Sequence, residues 1–257
     1  MGILSADTSF EAERVQVEIL KRLGPDGRLH QLSEATLFNW ALVRSGTSLS
    51  RSYERWLGQP HPAPPEGEPS PMDPVATPLV AAARLQALGV PYVVGGSYAS
   101  SIHGEPRATR DCDFLIELTC DNAVALVEAF EDEFYVSRAA VEEALELRRS
   151  FNLIHLSSGF KLDMFVSQGR DYDRERIKRG LEIRIDGQAI NVSSAEDTIV
   201  SKLEWYQLSP TDQQWRDVLG VLLVQGESLD LGYLRFWSRE LGLTGLLEKA
   251  FKETEVS

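Results

Sequence analysis

Two aspartates one residue apart, Asp111 and Asp113, carry the first chemical signal in the chain. On an extended strand the side chains at i and i+2 share a face, about 6.6 Å apart along the backbone. Both carboxylates can therefore converge on divalent cations, whose preference for hard oxygen ligands suits Mg²⁺ or Mn²⁺. Cys112, between them, points to the opposite face and toward a core. Upstream, the apolar run Tyr92-Val93-Val94 ends in Gly95-Gly96-Ser97. Two glycines let the backbone approach a ligand and take positive φ, and Ser97 offers a hydroxyl at the start of a helix. Exposed N–H groups and the helix dipole favour phosphate there. A third carboxylate comes from Asp163 in Lys161-Leu162-Asp163-Met164-Phe165-Val166. Strand alternation places Asp163 on one face with Lys161 and turns Leu162, Met164 and Val166 to the other. Three carboxylates beside a phosphate-gripping turn are the parts of a metal-assisted phosphoryl-transfer site.

Other polar residues stand in a second rank. Lys202, in Glu196-Asp197-Thr198-Ile199-Val200-Ser201-Lys202-Leu203, either reaches a triphosphate or snorkels from a solvated face. Arg107 and Arg110 bracket Thr109 ahead of the metal strand. Arg107 shares the parity of Asp111 and Arg110 does not, so Arg107 is the better phosphate candidate, although either can simply pair with an acid. His103 reads as a packing histidine. His30 and His155 have no serine or cysteine setting that would make a nucleophilic triad, and His61, in the proline-rich stretch, reads as no ligand.

The elements that must position these groups form a clear order. Residues 1–57 read as a small helical appendage, with helices at about 10–23, ended by Gly24-Pro25-Asp26-Gly27, at about 32–44, and a short one holding Tyr53, Trp56 and Leu57. Residues 58–74 hold seven of the twelve prolines and read as an extended linker. Residues 75–193 form an α+β core. Its helix over 74–88 leads into a strand from Tyr92, then a short helix to His103, a strand over 111–118 and a helix over 122–130. A further helix around 141–147 precedes two hairpins, 150–156 with 160–166 and 181–185 with 189–192. Residues 194–257 are helical by period. The tail's aromatics are most simply a helix-packing core, with one or two available as a base-stacking platform. Regular βαβ alternation is missing, so a sheet with antiparallel pairs fits better than a doubly wound one.

Composition narrows the partners. A chain of 257 residues with formal net charge −13 repels a polyanion overall, which argues against non-specific DNA binding. No apolar stretch approaches the roughly 20 residues needed to cross a bilayer. Two cysteines, Cys112 and Cys120, make no disulfide framework, and a reduced cytoplasmic setting is the expectation.

The constellation resembles the DNA polymerase beta-like nucleotidyltransferase superfamily, in Gly95-Gly96-Ser97, in Asp111 and Asp113 within Arg-Ala-Thr-Arg-Asp-Cys-Asp-Phe, and in Asp163 within Lys-Leu-Asp-Met-Phe. It is most similar to the bacterial branch of abortive-infection and toxin–antitoxin nucleotidyltransferases. That branch tends to show Arg-x-Thr-x-Asp-hydrophobic-Asp, matched from Arg107 to Asp113 with Cys112 at the hydrophobic place. Lys202 and Arg216-Asp217 look like its later Lys and Arg-Asp features, but no second aspartate follows Asp217 within a few residues. The resemblance spans about residues 75–225.

It implies a nucleotidyltransferase-type mixed sheet with flanking helices. It also implies Mg-dependent transfer of a nucleoside monophosphate from a nucleoside triphosphate such as ATP to a hydroxyl on a protein or RNA, with an antitoxin as a possible partner. In that reading Asp111 and Asp113 hold two Mg²⁺ ions, and Asp163 completes one metal site and helps deprotonate the hydroxyl. Gly95, Gly96, Ser97, Arg107 and Lys202 grip the nucleotide's phosphates. Two alternatives remain: a nucleotide- or partner-binding module of the same fold without turnover, and a metal-dependent phosphohydrolase.

Overall fold

A computed structural model describes residues 10–44, 75–185 and 187–256, with side chains of the first helix described over 15–36. The short helix expected at Tyr53–Leu57 and the proline-rich linker lie outside the described residues. Helix α1 (Phe10–Arg44) runs through the Gly-Pro-Asp-Gly stretch that reads as a stop. Gly24 alone leaves helical geometry (φ 67°, ψ 179°), and Pro25 restarts the helix at once. Proline suits a first helical position because its missing N–H would lack a partner there anyway.

The described elements continue as α2 (Ala76–Ala87), β1 (Tyr92–Val94), α3 (Gly96–His103), β2 (Asp111–Ile116) and α4 (Cys120–Phe130). Next come β3 (Phe134–Tyr135), α5 (Arg138–Leu147), β4 (Ser150–His155), β5 (Lys161–Val166) and α6 (Asp171–Lys178). The hairpin β6 (Leu181–Ile185) and β7 (Gln188–Val192) leads to α7 (Ala195–Leu208), α8 (Asp212–Gln225), α9 (Leu231–Glu240) and α10 (Thr244–Thr254). The architecture is α+β, as the order of elements implies. Both expected hairpins form, β4 with β5 and β6 with β7.

The seven strands lie in the order β3-β4-β5-β2-β1-β7-β6. Two pairs, β1 with β7 and β2 with β5, are parallel, so the sheet is mixed, as expected. The central strands alternate as a half-covered sheet should. Cys112, Phe114, Ile116, Leu162, Met164, Phe151 and Leu153 turn inward onto α2, α4 and α5, in one core that also buries Leu29 and Leu32 of α1. A second core joins α7 to α10 and takes in Tyr172 of α6. Helix α3 packs against α1, α7 and α8, which ties the two cores together directly behind strand β2.

Candidate functional site

The polar face of β2 and β5 is where the sequence candidates meet. The parallel register sets Asp111 beside Lys161 and Asp113 beside Asp163, and the antiparallel register sets Asn152 of β4 beside Asp163. Neighbouring strands lie about 4.8 Å apart, so these side chains form one patch. Cys112 is buried on the opposite face, as the alternation requires.

Lys161 links the carboxylates. Its Nζ lies 2.7 Å from Asp163 Oδ2 and 3.7 Å from Asp111 Oδ2. Burial would lower the pKa of this ammonium, but the Asp163 hydrogen bond and the charges of Asp163, Asp111 and Asp113 outweigh it and hold the group above its ordinary value. Asp113 shows the opposite imbalance. Desolvation, then the charges of Asp111 and Asp163, raise its carboxyl to about 6 despite Lys202 and Lys161 nearby. The set is short of positive charge. Thr109 steadies the outer carboxylate, donating its hydroxyl to Asp111 Oδ1 at 3.1 Å, while the Thr109 N–H donates to Thr36 Oγ1 of α1 at 3.1 Å.

The Gly95-Gly96 turn presses directly onto Asp113. Gly95 N–H donates to the Asp113 carbonyl at 2.8 Å, and α3 starts at the next residue. Gly96 sits at φ 56°, and a Cβ built there would come 1.6 Å from Asp113 Oδ2. Only glycine fits both the backbone and the space. A Gly96→Ala substitution is expected to cost about 1–3 kcal/mol of stability and to displace the Asp113 carboxylate. Equilibrium urea unfolding checks this, and an unchanged midpoint contradicts the close approach.

Asp217 is the second hub. Arg107 donates to both its carboxylate oxygens at 3.1 Å, and Lys202 Nζ lies 2.7 Å from Oδ2. The second nitrogen of the Arg107 fork also donates to Ser97 Oγ at 2.7 Å, which carries the network to the start of α3. The Asp217 side chain is 5% exposed and that of Lys202 10%, so neither reaches open solvent. Burial pushes the Asp217 carboxyl up, but the Arg107 hydrogen bond and the Lys202 charge prevail and hold it below the usual carboxylate value. Two cations against one carboxylate leave one positive charge beside Ser97. Lys202 therefore does not snorkel from a solvated face, and Arg107 does pair with an acid, one 110 residues away in sequence. Of the Arg216-Asp217 pair, only Asp217 points inward; Arg216 is exposed. Arg110 is exposed as well.

His103 lies outside this chemistry. It is buried with Nε2 donating to the Ser193 carbonyl at 2.6 Å, and desolvation lowers its pKa to about 4, so it is neutral. His155 bonds Ser158 in the β4–β5 turn.

The sequence names every carboxylate of the patch and sets Lys161 on the face of Asp163, but gives Lys161 no role in the site. Its signal was the shared parity of Lys161 and Asp163 in one strand.

The donor chemistry on this face suits a hard divalent cation at Asp111 and Asp113, since the oxygens are carboxylates and share one strand face. As arranged, no group of three or more His, Cys, Asp and Glu among the described residues could hold a metal ion. The third carboxylate is engaged by Lys161 instead.

No family model matches the chain, nor does any curated protein. Solved structures do. An antigenic nucleotidyltransferase-like protein from Paracoccidioides brasiliensis is similar at 16% identity and TM-score 0.43, over 69% of this chain and 91% of that one. The antibiotic-resistance factor ANT(2'')-Ia is similar at 14% identity and TM-score 0.42, over 70% of this chain and 92% of its own. The lincomycin-bound lincosamide antibiotic adenylyltransferase LnuA is similar at 14% identity and TM-score 0.37, over 55% and 90%. Likeness at these levels concerns the path of the chain and carries no argument about chemistry. Among the described residues no helix is long and apolar enough to cross a membrane.

Proposed function

We propose that this chain is a Mg²⁺-dependent nucleotidyltransferase that moves a nucleoside monophosphate from a nucleoside triphosphate to a hydroxyl on a protein or RNA. The observation that carries this reading is the pairing of Asp113 with Asp163 across parallel strands, directly under the Gly95-Gly96 turn. Asp111 and Asp113 would hold the cation, which supplies charge neutralisation at the triphosphate. The N–H groups at the start of α3, with Ser97 and the net positive Arg107-Lys202-Asp217 group beside it, hold the phosphates in line. Asp163, the least exposed of the two carboxylates that Lys161 touches, takes the proton of the attacking hydroxyl. Positioning and charge stabilisation do the work, so no covalent intermediate on the protein is needed.

A role as a toxin or defence component, with an antitoxin as partner, follows from the same resemblance. Finding a small helix-turn-helix protein encoded in the adjacent reading frame would support that role. The chemistry is tested by incubation with labelled nucleotides, Mg²⁺ and tRNA or lysate protein. Label is expected on an acceptor with the wild type and at background with the Asp111→Ala/Asp113→Ala protein. Equal labelling by the two proteins contradicts the assignment.

One observation favours a second reading, a nucleotide-binding module without turnover. Lys161 already engages Asp163, the residue assigned to the acceptor proton. Calorimetry separates the two, since this reading requires nucleotide binding with no pyrophosphate release.

A further inference from the structure

The arrangement expected from the resemblance has two metal ions among three carboxylates, yet the patch contains a fixed cation of its own. Lys161 is placed by backbone register and not by side-chain reach alone. It is the parallel partner of Asp111 and shares a strand face with Asp163 two residues on. Its Nζ is at hydrogen-bond distance from Asp163 and within ion-pair distance of Asp111. Any ion bridging Asp111 and Asp163 would meet this ammonium first. Arg107 and Lys202 supply no comparable charge to Asp163, because both are bonded to Asp217.

We propose that Lys161 is a built-in cation in place of the second metal, so that the site takes one divalent ion together with the nucleotide. This rests on the nucleotidyltransferase reading and refines it. The single ion belongs at Asp111 and Asp113, on the phosphate side. The ammonium stands on the Asp163 side, where the acceptor oxygen develops negative charge, and it stabilises that charge as a metal ion would. A lysine ammonium is a compact point charge with three donors, suited to this substitution.

The test counts metal rather than turnover. The full chain is dialysed to equilibrium against Mn²⁺ and a saturating α,β-methylene nucleoside triphosphate, and the Mn²⁺ retained per protein is measured. Wild type and Lys161→Arg are expected to retain one equivalent, with no spin coupling in the electron paramagnetic resonance spectrum. Lys161→Met, or Lys161→Gln should the Met protein not fold, is expected to retain two, with the coupled signal of ions about 4 Å apart. Two equivalents in the wild type, or one in every neutral variant, overturns the proposal while leaving the metal-site reading standing. Zero in the wild type removes the metal site itself and the proposal with it.

Discussion

Asp217→Ala is expected to cost the fold about 3–5 kcal/mol, the penalty for removing one partner of a buried ion pair. Asp217 is the only carboxylate bonded to both Arg107 and Lys202 among the described contacts, and its alanine variant strands a lysine that is 10% exposed. Gln213 also donates to Asp217, at 3.0 Å, and loses its acceptor. The urea midpoint of unfolding reports the loss. The double substitution Asp217→Leu/Lys202→Met is expected to recover part of it, because the stranded charge is gone. A loss below about 1 kcal/mol contradicts the buried network. The pH dependence has a defined sign. The Asp217 carboxyl is held below its unfolded value, so its contribution is complete above about pH 4 and disappears as the pH falls through the folded value.

Asp113→Asn is expected to act in the opposite sense on stability and far more strongly on activity. A metal ligand at the reacting phosphate is worth several kcal/mol, and about 4 kcal/mol corresponds to a thousandfold loss of transfer. The metal-free protein meanwhile gains. The Asp113 carboxyl is raised to about 6, so between about pH 4 and pH 6 the folded chain binds more protons than the unfolded one. Stability therefore falls as pH rises through that window, and above it the charged carboxylate is a standing cost. Removing that charge is expected to stabilise the apo protein at pH 7.5 by about 1–2 kcal/mol, after allowance for the partial exposure of Asp113. Mn²⁺ is expected to stabilise the wild type and not the variant. Thermal unfolding with and without metal measures all of this. A variant destabilised at pH 7.5 shows that Asp113 serves the fold.

The local parts of this picture were legible in the sequence because they are set by neighbours along the chain. Alternation put Asp111 and Asp113 on one face with Cys112 inside, and the Gly95-Gly96 turn announced the close approach that Gly96 makes. Turn residues marked both hairpins. The rest depends on which strands lie side by side, which no local pattern encodes. The parallel pairing of β2 with β5 alone decides that Asp113 faces Asp163 and that Lys161 faces Asp111. Asp217 meets Arg107 across 110 residues of chain. Helix α6 escaped notice for a different reason. Asp171-Tyr172-Asp173-Arg174-Glu175-Arg176-Ile177-Lys178 has no apolar stripe, and it is supported by acids in its first turn and bases in its last. Strand β3 is two residues long, too short for any period to show. At Gly24-Pro25 the stop signal was real but local, since a proline after a one-residue break can equally open the next helical turn.

The central claim is that the bond broken lies between the α- and β-phosphates. Parallel reactions with α-labelled and γ-labelled nucleoside triphosphate, Mg²⁺ and acceptor test it most directly. Nucleotidyl transfer places the α label on the acceptor and releases the γ label as pyrophosphate, and Asp113→Asn lowers both about a thousandfold. Transfer of the γ label to the acceptor, or release of the γ label as orthophosphate with no α label transferred, would contradict it.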